Sequence, residues 1–307
     1  MKHSFYSHGK LLLTGEYLVL DDAEALALPT KKGQSLTITE TSKTGLHWIS
    51  KDQYGTAWYE AAFLTDEQQI KSTDQESSTN AITKKLLSLL NTARVLNPKF
   101  LTQQIGITVE TELEFDRSWG LGSSSTLINN IAQWANVNAF ALLERAFGGS
   151  GYDVACAQHN SPILYNRNQG IPRITEVFFE PKFKDHLFFI YLNQKQDSKD
   201  SIKHYQALPR TNFESAAIKI SEINKSLLSC TDLSVFESLM SQHEAIISTI
   251  IKIPTIKSER FPDYPGAIKS LGGWGGDFIL VTGSLNDMQY FKNKGYTTII
   301  SYYDMIV

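Results

Sequence analysis

Cysteine, positive charge in excess and long apolar runs are all scarce in this chain, and each scarcity removes a class of protein. Two cysteines among 307 residues, Cys156 and Cys230, leave no disulfide framework and no C-x-x-C metal pair. A reducing, cytoplasmic setting is the expectation. A formal net charge of −3 supplies no bulk field for nucleic acid or an anionic membrane, so an anionic ligand needs a local site. No stretch approaches the roughly 20 apolar residues that span a bilayer. The early Leu11-Leu12-Leu13 run is cut off by Gly15-Glu16, too soon for a secretory apolar region. Seven histidines form neither H-x-x-x-H nor H-E-x-x-H. The G-x-x-x-x-G-K-[ST] loop is missing, and Gly120-Leu121-Gly122 is followed by Ser125 where a dinucleotide fingerprint needs a third glycine.

What is present is glycine in three places: Gly9-Lys10 running into Gly15-Glu16-Tyr17, then Gly120-Leu121-Gly122-Ser123-Ser124, then Gly272-Gly273-Trp274-Gly275-Gly276-Asp277. Glycine accepts positive φ, so such loops can turn several N–H groups toward one point. With a helix N-terminus behind them they make a phosphate site. Two such loops and an early lysine point to a nucleotide.

Apolar spacing sets the surroundings of these loops. Residues 10–20 read as a strand pair or a strand with a tight break, and 36–38, 47–50 and 58–63 as further strands. The polar segment 65–79 reads as loop. Ile82, Leu86, Leu89, Leu90 and Ala93 fall at helical spacing until Asn97-Pro98, and Ile105, Ile107 and Val109 alternate as a strand. After the second glycine loop Leu127, Ile131, Trp134 and Ala135 mark a helix face, and 139–147 a shorter helix. Past Pro181 the order is a buried strand at 187–192, helices at 212–228 and 233–251, a strand from Phe278, a helix near 286–294 and a strand near 296–302. That pattern is α+β, with 1–180 as an N-terminal domain and 181–307 as a C-terminal sandwich.

The run Glu144-Arg145-Ala146-Phe147-Gly148-Gly149-Ser150-Gly151-Tyr152-Asp153 places two carboxylates around a glycine turn. Metal-assisted phosphoryl transfer uses a carboxylate or hydroxyl on Mg²⁺, a second carboxylate at the attacking hydroxyl and a lysine near the moving group. With these stretches in order, the chain resembles the GHMP kinases, the family of galactokinase, homoserine kinase, mevalonate kinase and phosphomevalonate kinase. The resemblance implies a two-domain fold with an N-terminal ATP-binding domain and a C-terminal ferredoxin-like α+β sandwich. It implies that Gly120, Leu121, Gly122, Ser123 and Ser124 hold the phosphates of ATP. Ser124 and Glu144 would meet Mg²⁺, Asp153 would face the substrate hydroxyl with Lys10 beside it, and Gly273 and Gly275 would line the substrate pocket.

The chain departs from the family pattern in three places. Arg117-Ser118-Trp119 replaces the usual proline-led entry to the phosphate loop, Trp274 stands where a small residue is usual, and Glu144 and Asp153 are close in sequence. Each assignment has a plain rival: Lys10 as a solvated lysine, Glu144 as one partner of a helical pair, Asp153 as an N-cap. Cys156 reads as a small buried hydrophobe, and Trp119 and Trp274 as packing residues, with stacking on adenine the alternative.

Within the family, Gly15-Glu16-Tyr17 and Gly149-Ser150-Gly151-Tyr152-Asp153-Val154-Ala155-Cys156-Ala157 most resemble the phosphomevalonate kinases, with the mevalonate kinases next. Glu16, Tyr17, Lys195, Ser198 and Lys199 are the further substrate residues this implies, the lysines and the serine suiting phosphate oxygens. Homoserine or sugar kinases, the related decarboxylase and an ATP-binding member without catalysis are the alternatives. The partners expected are ATP and a small molecule, with no nucleic acid and no membrane.

Overall fold

The computed structural model describes residues 2–66, 69–73, 79–102, 106–196 and 198–307; of Ser198 and Lys199 only the backbone is described. Two compact units divide it, and they interleave in sequence. Unit 1 comprises Met1–Gly9, Lys32–Arg117 and Gly122–Gln158, and unit 2 comprises Lys10–Lys31, Ser118–Leu121 and His159–Val307. The change of character near residue 180 falls inside unit 2.

Up to residue 158 the strands are β1 (Lys2–Leu12), β2 (Ala25–Glu40), β3 (Leu46–Lys51), β4 (Ala57–Thr65), β5 (Ile70–Ser72) and β6 (Ile107–Leu113). The helices are α1 (Ala81–Leu96), α2 (Ser123–Ala135), α3 (Ala139–Ala146) and α4 (Tyr152–Gln158). In unit 1 the strand order is β5-β4-β3-β6-β2, with β3 and β6 parallel and the other neighbours antiparallel. Alternation drives the pairing: Leu46 and Trp48 on β3, Phe63 on β4 and Val109 on β6 are all buried. They meet Leu86, Leu89, Leu90 and Ala93 of α1 and Ile128, Ile131 and Ala132 of α2 in one core. Helix α1 begins where Asn80 accepts the Ile82 N–H at 2.8 Å, an N-cap.

From residue 159 the strands are β7 (Ile163–Asn168), β8 (Ile171–Glu176), β9 (Leu187–Tyr191), β10 (Ile268–Ser270), β11 (Phe278–Thr282) and β12 (Ile299–Ser301). The helices are α5 (Ser198–Gln206), α6 (Phe213–Leu228), α7 (Leu233–Ile251), α8 (Ile256–Arg260), α9 (Gln289–Asn293) and α10 (Tyr302–Met305). Within unit 2, Ala25, Leu26 and Ala27 pair with β7, and β7 pairs with β8. The second sheet runs β10-β11-β9-β12, antiparallel throughout. Every residue of β9 and β11 is buried, which is why both read as unbroken apolar runs.

Several elements differ from the sequence reading. β1 begins at Lys2 and ends at Leu12, and a 3₁₀ turn over Leu18–Asp21 follows it, so 13–20 is not strand. β5 lies in the segment read as loop. Residues 198–206, given no element in the sequence, form a helix whose Tyr205 is fully buried against Phe213 at 5.2 Å and donates its hydroxyl to Asp21. Ile105, expected to open β6, lies outside the described residues.

Arg94 of α1 is buried and donates to the Phe100 carbonyl at 3.0 Å, the Asp66 carbonyl at 2.6 Å and the Leu101 carbonyl. Arg94→Met keeps the apolar stem but leaves three carbonyls without their donor. It should lower the unfolding free energy by about 3 kcal/mol, measured by urea denaturation; a loss within a few tenths of a kcal/mol, roughly the scale of surface changes, would show that water replaces the guanidinium.

Candidate active site

Unit 2 carries most of the residues singled out in sequence. Lys10 is half-buried near the end of β1, and its N–H donates to the Leu121 carbonyl at 3.0 Å. Gly120 adopts φ 68, and a Cβ there would lie 2.4 Å from the Asp277 Cγ. Only glycine fits: the backbone is left-handed and the space is taken by a carboxylate. Asp277 is 7% exposed, and its Oδ1 accepts the Gln196 N–H at 3.1 Å. Burial pushes the Asp277 carboxyl up; the Gln196 N–H, the charges of Lys10 and Lys195, and the Gly273 N–H pull it down.

The third glycine run folds back on the exit of β9. The Asp277 N–H donates to the Gln194 carbonyl at 2.7 Å, and the Leu192 N–H donates to the Asp277 carbonyl at 2.8 Å. A Cβ on Gly273 would come 2.6 Å from Gln196 Cγ. The Gly275 carbonyl accepts from Arg260 Nη2 at 3.2 Å. Lys195 is exposed at this turn, while Ser198 and Lys199 open α5. Trp119 and Trp274 are packing residues, as expected. Trp119 meets Phe278 edge-on at 5.5 Å, and Trp274 is buried with its indole N–H on the Pro254 carbonyl at 2.9 Å.

Glu16 and Tyr17 are correspondingly turned inward. Glu16 is 1% exposed, and its Oε1 is paired with the Lys269 ammonium. Burial raises its pKa to about 7 against the pull of Lys269. A carboxylate enclosed in this way faces the interior of unit 2, which corrects its reading as a substrate contact. Tyr17 takes a positive φ of 62 in a tight turn that the Leu18 N–H closes on the Glu16 carbonyl at 2.7 Å, costly for an aromatic residue. Its hydroxyl accepts the Trp274 N–H at 3.0 Å and its ring stacks on Tyr205 at 5.5 Å, so it braces the third glycine run.

Unit 1 carries the rest. Gly122, at φ 88, is the N-cap of the 13-residue α2, and no side chain caps it. The first turn of α2 follows directly, with Ser123 half-buried and Ser124 exposed. Asp153 is the second residue of α4, inside the first turn and not its cap. Cys156, on the same helix, is fully buried, as expected of a small hydrophobe. A buried polar chain fixes these helices. Asn129 of α2 donates to Ser7 Oγ at 2.9 Å and accepts from Gln158 of α4 at 3.0 Å, and Ser7 donates to Asn130 at 2.7 Å.

Glu144 is exposed on α3. Among the described residues no three His, Cys, Asp or Glu side chains gather as a metal set. The Ser124 hydroxyl and the Glu144 carboxylate are nevertheless hard oxygen donors, of the kind and small number that Mg²⁺ accepts from protein.

No protein-family model matches the chain, and no curated protein matches it by sequence. Solved structures do match it, over almost its whole length. It is similar to the mevalonate kinase of Methanococcus jannaschii at TM-score 0.71 and 14% identity, over 98% of this chain and 97% of that one. It is similar to the phosphomevalonate kinase of Streptococcus pneumoniae, solved with phosphomevalonate and AMPPNP, at TM-score 0.64 and 16% identity, over 97% and 99%. It is also similar to the galactokinase of Lactococcus lactis, solved with galactose, at TM-score 0.66 and 11% identity, over 100% and 93%. The chain has the two-domain α+β fold of these kinase structures.

The sequence reading gave no role to Asp277, Lys269, His243 or Glu244. Asp277 carried a signal, an ionisable residue between a glycine run and a buried strand. The other three look like ordinary helix and strand residues until their burial is seen.

Gly120→Ala should be costly in the native background, and only about 1 kcal/mol of left-handed strain should remain when Asp277 is also alanine. Urea unfolding of the four proteins of this cycle measures the coupling. Equal costs in both backgrounds would mean that the carboxylate does not fill the Gly120 position.

Proposed function

We propose that the chain is an ATP-dependent phosphotransferase of the GHMP kinase type. It moves the γ-phosphoryl group of ATP to a mevalonate-pathway substrate, with phosphomevalonate ahead of mevalonate. The observation that carries the reading is the left-handed Gly122 opening an α2 whose N-terminus has no side-chain cap. Such a terminus meets a phosphate with N–H groups and the positive end of the helix dipole. The fold shared with mevalonate, phosphomevalonate and galactose kinases supports the same reaction class.

In this reading residues 120–124 hold the ATP phosphates. Asp153 orients or deprotonates the acceptor hydroxyl, and Lys10 lowers the cost of negative charge on the transferred group. Mg²⁺, when bound through Ser124 and Glu144, neutralises charge on the phosphate oxygens. Tyr17, Lys195, Ser198, Lys199, Gly273 and Gly275 shape the acceptor site, Tyr17 by holding the Trp274 backbone. Phosphomevalonate is favoured over mevalonate because Lys195, exposed where the third glycine run folds back, presents a cation to a dianion.

Gly122→Val should abolish ATP binding in a folded protein, and Asp153→Asn should keep ATP binding while lowering kcat by about 10²–10⁴-fold. Calorimetry and a coupled ADP assay read the two effects. Unchanged ATP affinity in Gly122→Val would remove the phosphate loop from the reading, and near-native kcat in Asp153→Asn would leave that residue a purely structural one.

With phosphomevalonate as substrate, Lys195→Ala should raise KM and spare kcat, as expected for lost uniform binding. With mevalonate the same change should do little. Turnover of homoserine or galactose, and of neither mevalonate compound, would refute the assignment to this pathway.

A further inference from the structure

Glu16, His243, Glu244 and Lys269 form a dry charge cluster inside unit 2, at 1%, 0%, 3% and 1% exposure. Three pieces of chain supply it: the segment after β1, helix α7 and strand β10. The Lys269 ammonium donates to Glu16 Oε1 and to the Ser270 carbonyl, and stands 3.3 Å from Glu244 Oε1. Glu244 accepts the Ser270 N–H at 3.0 Å and the Ser270 hydroxyl at 3.2 Å. Its two oxygens are therefore satisfied as a carboxylate.

The histidine adds no positive charge. The Gly15 N–H donates to His243 Nε2 at 2.9 Å, so that nitrogen carries no proton and the ring is the neutral Nδ1–H tautomer. Burial, aided by the Lys269 charge, holds its pKa well below the ordinary value. His243 therefore has no proton to offer Glu16 Oε2, 3.4 Å from Nε2. Glu16 Oε2 is buried without a hydrogen-bond partner among the described residues.

Two ionised carboxylates and one ammonium would leave a net charge of −1 away from water. An unbalanced buried charge costs several kcal/mol by general estimates, and a carboxylate relieves that cost by taking up a proton. The atom with room for that proton is Glu16 Oε2. The titratable groups facing Glu16 are Lys269 from β10, His243 and Glu244 from α7, and the neighbouring Tyr17, which burial keeps neutral.

We propose that Glu16 is held as the neutral acid, with its proton on Oε2. Glu16, Glu244 and Lys269 then form a charge-balanced tie between the Gly15–Tyr17 segment and the strand entering the third glycine run. Glu16 is a positioning residue in this account, and the tie stands whichever alcohol the chain phosphorylates. Its strength depends on pH with a defined sign. The folded pKa of Glu16 is raised from the ordinary 4.5 to about 7, so folding retains a proton that an opened chain has lost. The tie is at full strength below about pH 4.5, weakens as pH rises toward 7, and levels off above.

Infrared difference spectra at pH 6 test the proton directly. Wild type should show a protonated-carboxyl band that is absent from both Glu16→Gln and Glu244→Gln, because either change balances Lys269 with a single carboxylate. The absence of that band from wild type, or a band common to all three proteins, would overturn the proposal. Amide exchange tests the tie at its two bonded amides, Gly15 and Ser270. Their protection in wild type should fall about tenfold per pH unit between roughly pH 5 and 7, and should stay level in Glu16→Gln. Level protection in wild type over this range would overturn the proton-dependent tie.

Discussion

The Asp277 carboxylate sits where a side chain on Gly120 would sit, and the rest of unit 2 around the glycine runs is arranged about that contact. Oxygen at this spot forces glycine at position 120 and accepts the backbone of Gln196. Its repulsion for a nearby anion is tempered by Lys10 and Lys195. A partly buried carboxylate is unfavourable beside a phosphate unless cations and N–H groups surround it. Here they do, and the same cations serve the proposed chemistry. The backbone of Asp277 is bonded on both sides to the exit of β9, so the carboxylate cannot drift without disturbing the buried sheet.

Polar groups in the interiors of both units hold segments in register where apolar packing would only hold them close. In unit 1 the Ser7, Asn129 and Asn130 amides and hydroxyl tie β1, α2 and α4. In unit 2 charged groups tie the Gly15–Tyr17 turn to β10. Directional bonds of this kind fix orientation to a degree that a leucine in the same place does not. The segments fixed in this way are the ones that carry Lys10, Ser124, Asp153 and the glycine runs.

Much of this was legible in the sequence, and the reasons differ by element. Helix α1 announced itself through apolar residues at helical spacing that stop at Asn97-Pro98, and β9 and β11 through unbroken apolar runs. The glycines were legible because few other residues tolerate their backbone angles. What escaped depended on tertiary contacts. β10 is three residues long with a fully buried lysine at its centre, which erases any strand pattern. α5 is polar along most of its length and is held by Tyr205, a single aromatic whose partners lie elsewhere in the chain. The hairpin of β7 and β8 turns at Gln169 and Gly170, both at positive φ, a signal too short to stand out among exposed residues. Glu16 misled because a motif gives a residue's type and place but not its direction.

The interleaving of the two units also bears on how the chain is made. Unit 1 has all its residues once synthesis passes Gln158, but unit 2 needs Lys10–Lys31 together with nearly everything after His159. On a ribosome the first unit can close early, whereas Ala25-Leu26-Ala27 must wait for β7, which is translated after it. Growing at about 5–20 residues per second, the nascent chain would display these apolar residues for many seconds. In a cell, that interval is when a holdase chaperone has most to gain from binding, and when a stalled or truncated message would release its stickiest product.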